Sequence, residues 1–350
     1  MKKTMKAVYF TGDRQLEIRD VPIPEPKAGQ VLVRLRTAAL CGSDVHFFRS
    51  RPEILIPNII SGHEPAGDVE KVGEGVTHLT AGDRVCIYHF QGCGICEHCL
   101  SGHMNNCQKA RHGCGWDLDG SNAEYILMNA VNCLKLPEEL SYEDGSIIAC
   151  IGGTAYSALS KLNLSGRDLL VIYGLGAVGQ ACVLIAKGMG ATVIGVELNE
   201  YRCNFAKELG CDYVINSAKE DMYEAIMRIS NGRGADKSIE TTGATPLRKM
   251  MVKASAVHGH IVMVGFNEGC RDPQDECLCM FDSSILLRSE LILQGSYVMP
   301  IGMYEELVRF LLYKGVKLDR MVTHRFPLKD IQKAIDVFDT GNCGKIIINC

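Results

Sequence analysis

At 350 residues the chain has room for about two domains, each with a core of its own. Hydrophobic residues make up 47% and charged residues 22%, and the formal net charge is −4, with Lys and Arg scattered among acids, so no basic face for nucleic acid is expected. No apolar run approaches the roughly 20 residues of a membrane helix, and the lysine-bearing start has no apolar segment before Asp13. Neither a membrane span nor a secretory leader is expected, and the composition points to the cytoplasm.

In chain order, Val21-Pro22-Ile23-Pro24-Glu25-Pro26 is too rich in proline for a central strand and reads as an extended connector. Val31 to Arg36 alternates apolar and polar residues, the pattern of a half-buried strand. Gly73, Gly75 and Gly82 punctuate a second β-rich stretch, so the first part reads as a compact β domain. The pattern changes near Gly152. Leu169 to Tyr173 is a continuous apolar run, as in a strand buried on both faces. A glycine-rich turn and a helical stretch, Val178 to Met189, follow. Thr192–Val196, Glu200–Leu209, Val214-Ile215, Ser238-Ile239, Ile261–Val264 and Leu291–Leu293 continue a strand–helix alternation that predicts a parallel α/β sheet. Met303–Tyr313 and Leu328–Phe338 read as amphipathic helices and Lys345–Ile348 as a terminal strand. These last pieces are too small for a core of their own and are expected to return to the first domain.

The chain has 17 cysteines. Without a secretory leader they point to reduced thiols, some of them metal ligands. Cys93, Cys96, Cys99 and Cys107 form C-x2-C-x2-C-x7-C, a spacing that lets four thiolates converge on one ion. That is the closed, structural form of zinc binding; an iron–sulfur cluster is the chemical rival, but no partner motif supports electron transfer. Others, such as Cys182 and Cys203, read as small buried hydrophobes. Cys41, His63 and Cys150 are the candidates for a second metal site. Three protein ligands with an open fourth position make a catalytic zinc centre, although spacing alone is a weak argument for residues so far apart.

Gly174-Leu175-Gly176-Ala177-Val178-Gly179 is G-x-G-x-x-G, placed directly after a buried strand and opening a helix. The glycines permit a tight turn and close approach of a pyrophosphate to the helix N-terminus. Glu197 falls at the end of the next strand, where an acid accepts hydrogen bonds from ribose hydroxyls and repels a 2′-phosphate, favouring NAD. Arg202 nearby tempers that preference.

With these motifs in this order, the chain resembles the zinc-containing medium-chain alcohol dehydrogenases over almost its whole length. It looks nearest to bacterial zinc-type members that accompany sugar-alcohol or polyol metabolism; Val322-Thr323-His324-Arg325-Phe326 and Gly344-Lys345-Ile346-Ile347-Ile348 also fit that group. The resemblance implies an α/β protein: a GroES-like β domain over residues 1–151 with a zinc-binding lobe at 93–107, a Rossmann doubly wound parallel-sheet domain over 152–295, and a return segment, 296–350, completing the first. It implies an active site in the cleft between them, two Zn2+ ions and NAD. Cys41, His63 and Cys150 would hold the catalytic zinc, with Glu64 behind it as an alternate ligand. Asp44 would fix the tautomer of His63. Ser43 would take the alcohol proton and His46 would relay it to solvent. Thr154, Val178 and Val264 would line the nicotinamide, beside the loop residues Gly174, Leu175, Gly176 and Gly179.

One departure matters. The polyol branch often carries an acid where Cys150 stands, and cysteine there resembles the simple-alcohol branch, so the third ligand is Cys150, Glu64 or a water. His89 aligns with a substrate-pocket position, where a polar residue would suit a hydroxylated substrate; the alternative is a surface histidine. The expected reaction is reversible, NAD-linked oxidation of a secondary alcohol, polyol or sugar alcohol. The alternatives are a bulky secondary alcohol such as a steroid hydroxyl, a zinc-free reductase on the same scaffold, which would lack the ligand set, and a non-catalytic NAD- and zinc-binding protein. The expected partner is a small alcohol or ketone. Leu291 to Val298 lies where the family pairs sheets between subunits, so a homodimer or homotetramer is expected.

Overall fold

The computed structural model describes residues 3–266 and 282–350. The chain divides into two compact units: one of residues 1–153, 299–312 and 317–350, the other of 154–298 and 313–316. The C-terminal pieces thus belong with the N-terminal unit.

In the first unit, a seven-stranded sheet runs in the order Val322–Pro327, Lys345–Asn349, Gln30–Ala39, Pro65–Val72, Arg84–Ile87, Cys133–Lys135, with Tyr125–Asn129 also paired to Gln30–Ala39. The long strand Gln30–Ala39 buries Val31, Val33 and Leu35 on one face while Arg34 and Arg36 point to water, the alternation its sequence carries. Its last residues pair with Lys345–Asn349, so the terminal strand lies next to the segment that begins at Leu40. A two-stranded ribbon, Thr4–Gly12 with Gln15–Pro22, packs Val8 into the core formed with Leu40, Phe48, Ile346 and Ile348. The proline-rich segment differs from expectation at one end: Val21 and Pro22 close the second ribbon strand, pairing with Met5 and Thr4. Proline is tolerated there because it is the last residue of its strand, where no further ladder bond is needed.

The second unit holds a six-stranded, wholly parallel sheet. Numbered within the sheet as Leu169–Tyr173, Thr192–Glu197, Tyr213–Asn216, Ala235–Glu240, Ser255–Met263 and Ile292–Gly295, the strands lie in the order 3-2-1-4-5-6. This is the doubly wound arrangement, and its direction reverses between the first and fourth strands, the crevice where such sheets bind ligands. Leu170 to Tyr173 are buried throughout, which is why the run carries no polar alternation. Helices Ala177–Met189, Glu200–Glu208 and Met222–Ile229 follow the first three strands. Asn199 and Asp221 cap the latter two through side-chain oxygens that accept from Arg202 N and Glu224 N. Among the described residues no helix is long and apolar enough to cross a membrane.

Candidate metal and dinucleotide sites

Cys41 stands immediately before helix Gly42–Arg49, and Asp44 in that helix's first turn accepts from the Cys41 backbone N–H at 2.9 Å. The other oxygen of the same carboxylate lies 3.0 Å from His63 Nδ1, with both side chains buried. Asp44 therefore does two things at once: it closes the helix start that presents Cys41, and it takes the Nδ1 proton of His63 as a hydrogen bond, turning Nε2 towards the cysteines. His63 follows Gly62, whose φ of +89° suits only glycine. A Cβ at Gly120 would lie 2.1 Å from the Gly62 carbonyl, so the segment that carries His63 is clamped by backbone packed against backbone.

Cys150 arrives by a different device. Residues Ile148–Gly152 form a single π-helical turn between helices Tyr142–Ile147 and Gly153–Lys161. Such a turn inserts one residue into the helical ladder and re-aims the side chains on it, and it recurs at functional sites. The outcome is one constellation: one donor atom from each of Cys41, His63, Glu64 and Cys150 lies within 4.8 Å of the others. The hydrogen bond from the Cys150 thiol pulls Cys41 well below an ordinary thiol pKa, with His63 assisting, and Cys150 is raised in return. The thiolate is the form in which a cysteine takes a metal.

Ser43 Oγ is 3.4 Å from His63 Nε2. His46 lies one turn further along the same helix, on the face shared by residues three apart. His89 is no surface residue: it is buried, and its Nδ1 donates to the Ala149 carbonyl at 2.9 Å. Burial first, and the neighbouring His63 second, push its pKa down to about 3, so the ring is neutral and Nε2 is an acceptor. Trp116, the only tryptophan, stacks on His63 with centroids 5.4 Å apart at 29°, and Phe90 lies 5.1 Å from it. Sequence reasoning missed this aromatic wall, because Trp116 sits in a turn with no local signature.

The second cluster is built by Cys93, Cys96, Cys99 and Cys107, whose sulfurs also lie within 4.8 Å of one another. Cys96 Sγ is 3.5 Å from Cys99 Sγ and 3.8 Å from Cys107 Sγ. Four thiolates at ordinary zinc–sulfur distance would be about 3.8 Å apart in a tetrahedron, so the cage fits the ion. Backbone N–H groups of Ala110 and Cys93 pull Cys107 down to about 5. The lobe exposes Ile95 and Leu100 and has little apolar core, so a metal would supply its folding energy.

In the second unit, Gly174 adopts φ +95° directly after the first strand. A Cβ on Gly179 would lie 2.0 Å from the Gly174 carbonyl, whereas one on Gly176 would meet nothing within 4 Å. The third glycine thus serves helix–strand packing, and the second faces open space at the start of helix Ala177–Met189, Val178 being in its first turn, where unpaired N–H groups attract phosphate. Glu197 sits at the end of the second strand, but its carboxylate is turned onto the backbone. It accepts from Leu175 N at 3.0 Å, Leu198 N at 2.8 Å and Asn199 N at 3.0 Å. The charge is fixed beside the glycine turn, with acceptor capacity left for a hydroxyl. Arg202 lies in the next helix. Val264 N donates to the Glu240 carbonyl just past the fifth strand. Thr154 is buried in helix Gly153–Lys161.

Two family models cover most of the chain: the alcohol dehydrogenase GroES-like domain matches residues 27–138, and the zinc-binding dehydrogenase model matches residues 177–312. An uncharacterised zinc-type alcohol dehydrogenase-like protein of Escherichia coli K12 is 33% identical, with 99% of each chain covered. The chain belongs to the zinc-type alcohol dehydrogenase family. The L-threonine 3-dehydrogenase of Shigella sonnei is 32% identical, again over 99% of each chain. Among solved structures, an alcohol dehydrogenase of E. coli CFT073 in complex with NADH superposes with a TM-score of 0.89 at 25% identity, covering 100% of both chains. An alcohol dehydrogenase of Thermus sp. ATN1 matches with a TM-score of 0.89 at 26% identity over 98% of this chain and 99% of its own. As a member of this family the chain is a nicotinamide-dependent, zinc-requiring oxidoreductase with a GroES-like and a Rossmann domain.

Proposed function

We propose that this zinc-type dehydrogenase oxidises a secondary alcohol bearing a further polar group, with NAD as hydride acceptor. The observation that carries the reading is the constellation of Cys41, His63, Glu64 and Cys150 with His63 Nδ1 held by Asp44. Two soft thiolates and an imidazole suit zinc, and three of them leave room for a substrate oxygen. A zinc ion bound there supplies Lewis-acid polarisation that eases loss of the alcohol proton. Nicotinamide supplies the hydride acceptor. The chain's own residues do the rest. Asp44 orients His63, Ser43 Oγ receives the hydroxyl proton, and His46 passes it outward from the same helical face. The aromatic wall of Trp116 and Phe90 shields one side of the metal donors, and His89 Nε2 accepts a hydrogen bond from a second polar group of the substrate. A threonine dehydrogenase at 32% identity supports a secondary hydroxyl with a polar neighbour. The test is reduction of NAD by a panel of secondary alcohols, amino alcohols and polyols. Turnover only with simple alcohols would remove the role given to His89.

Glu197 and the glycine turn carry the cofactor reading. Glu197→Ala is expected to weaken NAD about tenfold or more, from loss of a charged hydrogen-bond acceptor, and to narrow the preference over NADP. Titration of cofactor fluorescence measures both, and an unchanged NAD affinity would refute the role. The Cys93, Cys96, Cys99 and Cys107 cage is read as a structural zinc site. Cys107→Ser is expected to lower the zinc content from two ions per chain to one and to lower the melting temperature, read by elemental analysis and thermal unfolding.

We also infer a homo-oligomer. Among the described residues Ile292–Gly295 is the edge strand of the parallel sheet, and Ile292 is more than half exposed, which offers a pairing edge for a second copy. Light scattering should give the mass of two or four chains.

A further inference from the structure

The terminal strand Lys345–Asn349 carries a lysine into the core of the first unit. Lys345 and Glu64 are both fully buried, and Lys345 Nζ lies 2.6 Å from Glu64 Oε2. The same ammonium donates to the Leu40 carbonyl at 2.7 Å. Leu40 N in turn donates to the Ile346 carbonyl, so the backbone fixes the lysine one residue from Cys41. Glu64 Oε1 has no hydrogen-bond partner among the described residues, although it too is buried. A buried ion pair is seldom a better way to fill a core than apolar side chains, so its position beside the metal donors calls for another explanation.

Charge and coordination supply one. A divalent ion with two thiolates and a neutral imidazole is neutral and three-coordinate on the protein side, with a place for substrate. Adding Glu64 would complete four protein ligands, the closed form that does no chemistry. Glu64 is near enough to do so, since its oxygen lies within 4.8 Å of the other donor atoms. The only group seen to compete for its carboxylate among the described residues is the Lys345 ammonium.

We propose that Lys345 is a positioning residue that holds Glu64 back from the metal, leaving Cys41, His63 and Cys150 as the working ligands and the fourth position open. This rests on the metal-site reading above. Lys345 also balances the charge of the site, because one ammonium and a divalent ion offset two thiolates and a carboxylate.

The experiment replaces zinc with cobalt in the full-length protein and follows the cobalt absorption bands as azide is added. Azide occupies an open coordination position. In the parent protein the spectrum should respond to azide. Lys345→Met should change the spectrum before azide is added and weaken the azide response at least about tenfold, the scale on which groups behind metal ligands act. Lys345→Arg should keep the parent behaviour. Adding Glu64→Gln to Lys345→Met should restore the azide response, which a merely stabilising lysine would not predict. If Lys345→Met binds azide like the parent, the inference is overturned while the metal site stands. If Lys345→Met does not fold, Glu64→Gln alone decides: an intact cobalt site with undiminished azide binding supports the proposal, and loss of the metal refutes it. A parent protein that takes up no second cobalt, or a Cys41→Ala variant that takes it up unchanged, would instead refute the underlying metal-site reading.

Discussion

Cys41→Ala is expected to lower turnover by about a thousandfold or more, while NAD binding stays within error of the parent. The size follows from the chemistry assigned to the site: Lewis-acid stabilisation is worth several kcal/mol, and each 1.36 kcal/mol is about tenfold in rate. The separation of the two effects follows from the fold. Cys41 belongs to the first unit, and the glycine turn with Glu197 belongs to the second. Alanine at this position leaves the Asp44–Cys41 backbone bond in place, because that bond uses the Cys41 N–H and not its sulfur. The helix start should therefore survive and His63 should stay oriented. Zinc analysis, cofactor titration and steady-state rates on one preparation check all three points. Loss of NAD binding together with turnover would show that the substitution unfolds the chain rather than emptying the site.

The glycine turn gives the second large effect, and two of its positions should behave differently. Gly179→Ala forces a methyl to within 2.0 Å of the Gly174 carbonyl, where backbone must move. It should cost about 1–3 kcal/mol of stability, the usual scale of overpacking, and weaken NAD as the helix start is displaced. Gly176→Ala meets no protein atom within 4 Å and has an ordinary φ of −65°, so the melting temperature should hardly change. Its methyl nevertheless occupies the space in which the pyrophosphate would lie, and NAD affinity should fall sharply. Thermal unfolding with cofactor titration separates the pair. Equal destabilisation by both would mean that the second glycine is structural, and an unaffected NAD affinity in Gly176→Ala would remove the phosphate from this turn.

How much of this was legible beforehand depends on whether the signal is local. The strand Leu169–Tyr173, the glycine turn after it and the cysteine lobe are each written in a short run of residues, and each appears where its run predicts. Helix ends moved by one to three residues, as with Tyr304–Lys314 and Ile331–Asp339, because end residues are decided by capping contacts rather than by periodicity. The side chains that tune the metal site are the opposite case. Lys345 meets Leu40 across 305 positions, and nothing in Lys-Ile-Ile-Ile says that its charge will be buried. The π-turn that aims Cys150 has no compositional mark apart from the Gly152-Gly153 pair, where a Cβ on Gly152 would meet Leu318 at 2.7 Å. The hydrogen bonds of Glu197 to three backbone amides were also beyond reach, since its distance from the glycine turn suggested a ligand contact and not a self-contact.

The most direct test of the central claim is metal removal and reconstitution with an active alcohol in hand. Purified protein is stripped with a chelator, and NAD reduction is followed before stripping, after it, and after zinc is returned. The account predicts that turnover disappears with the metal and returns with zinc, while NAD binding persists throughout. Undiminished turnover by the metal-free chain would contradict it.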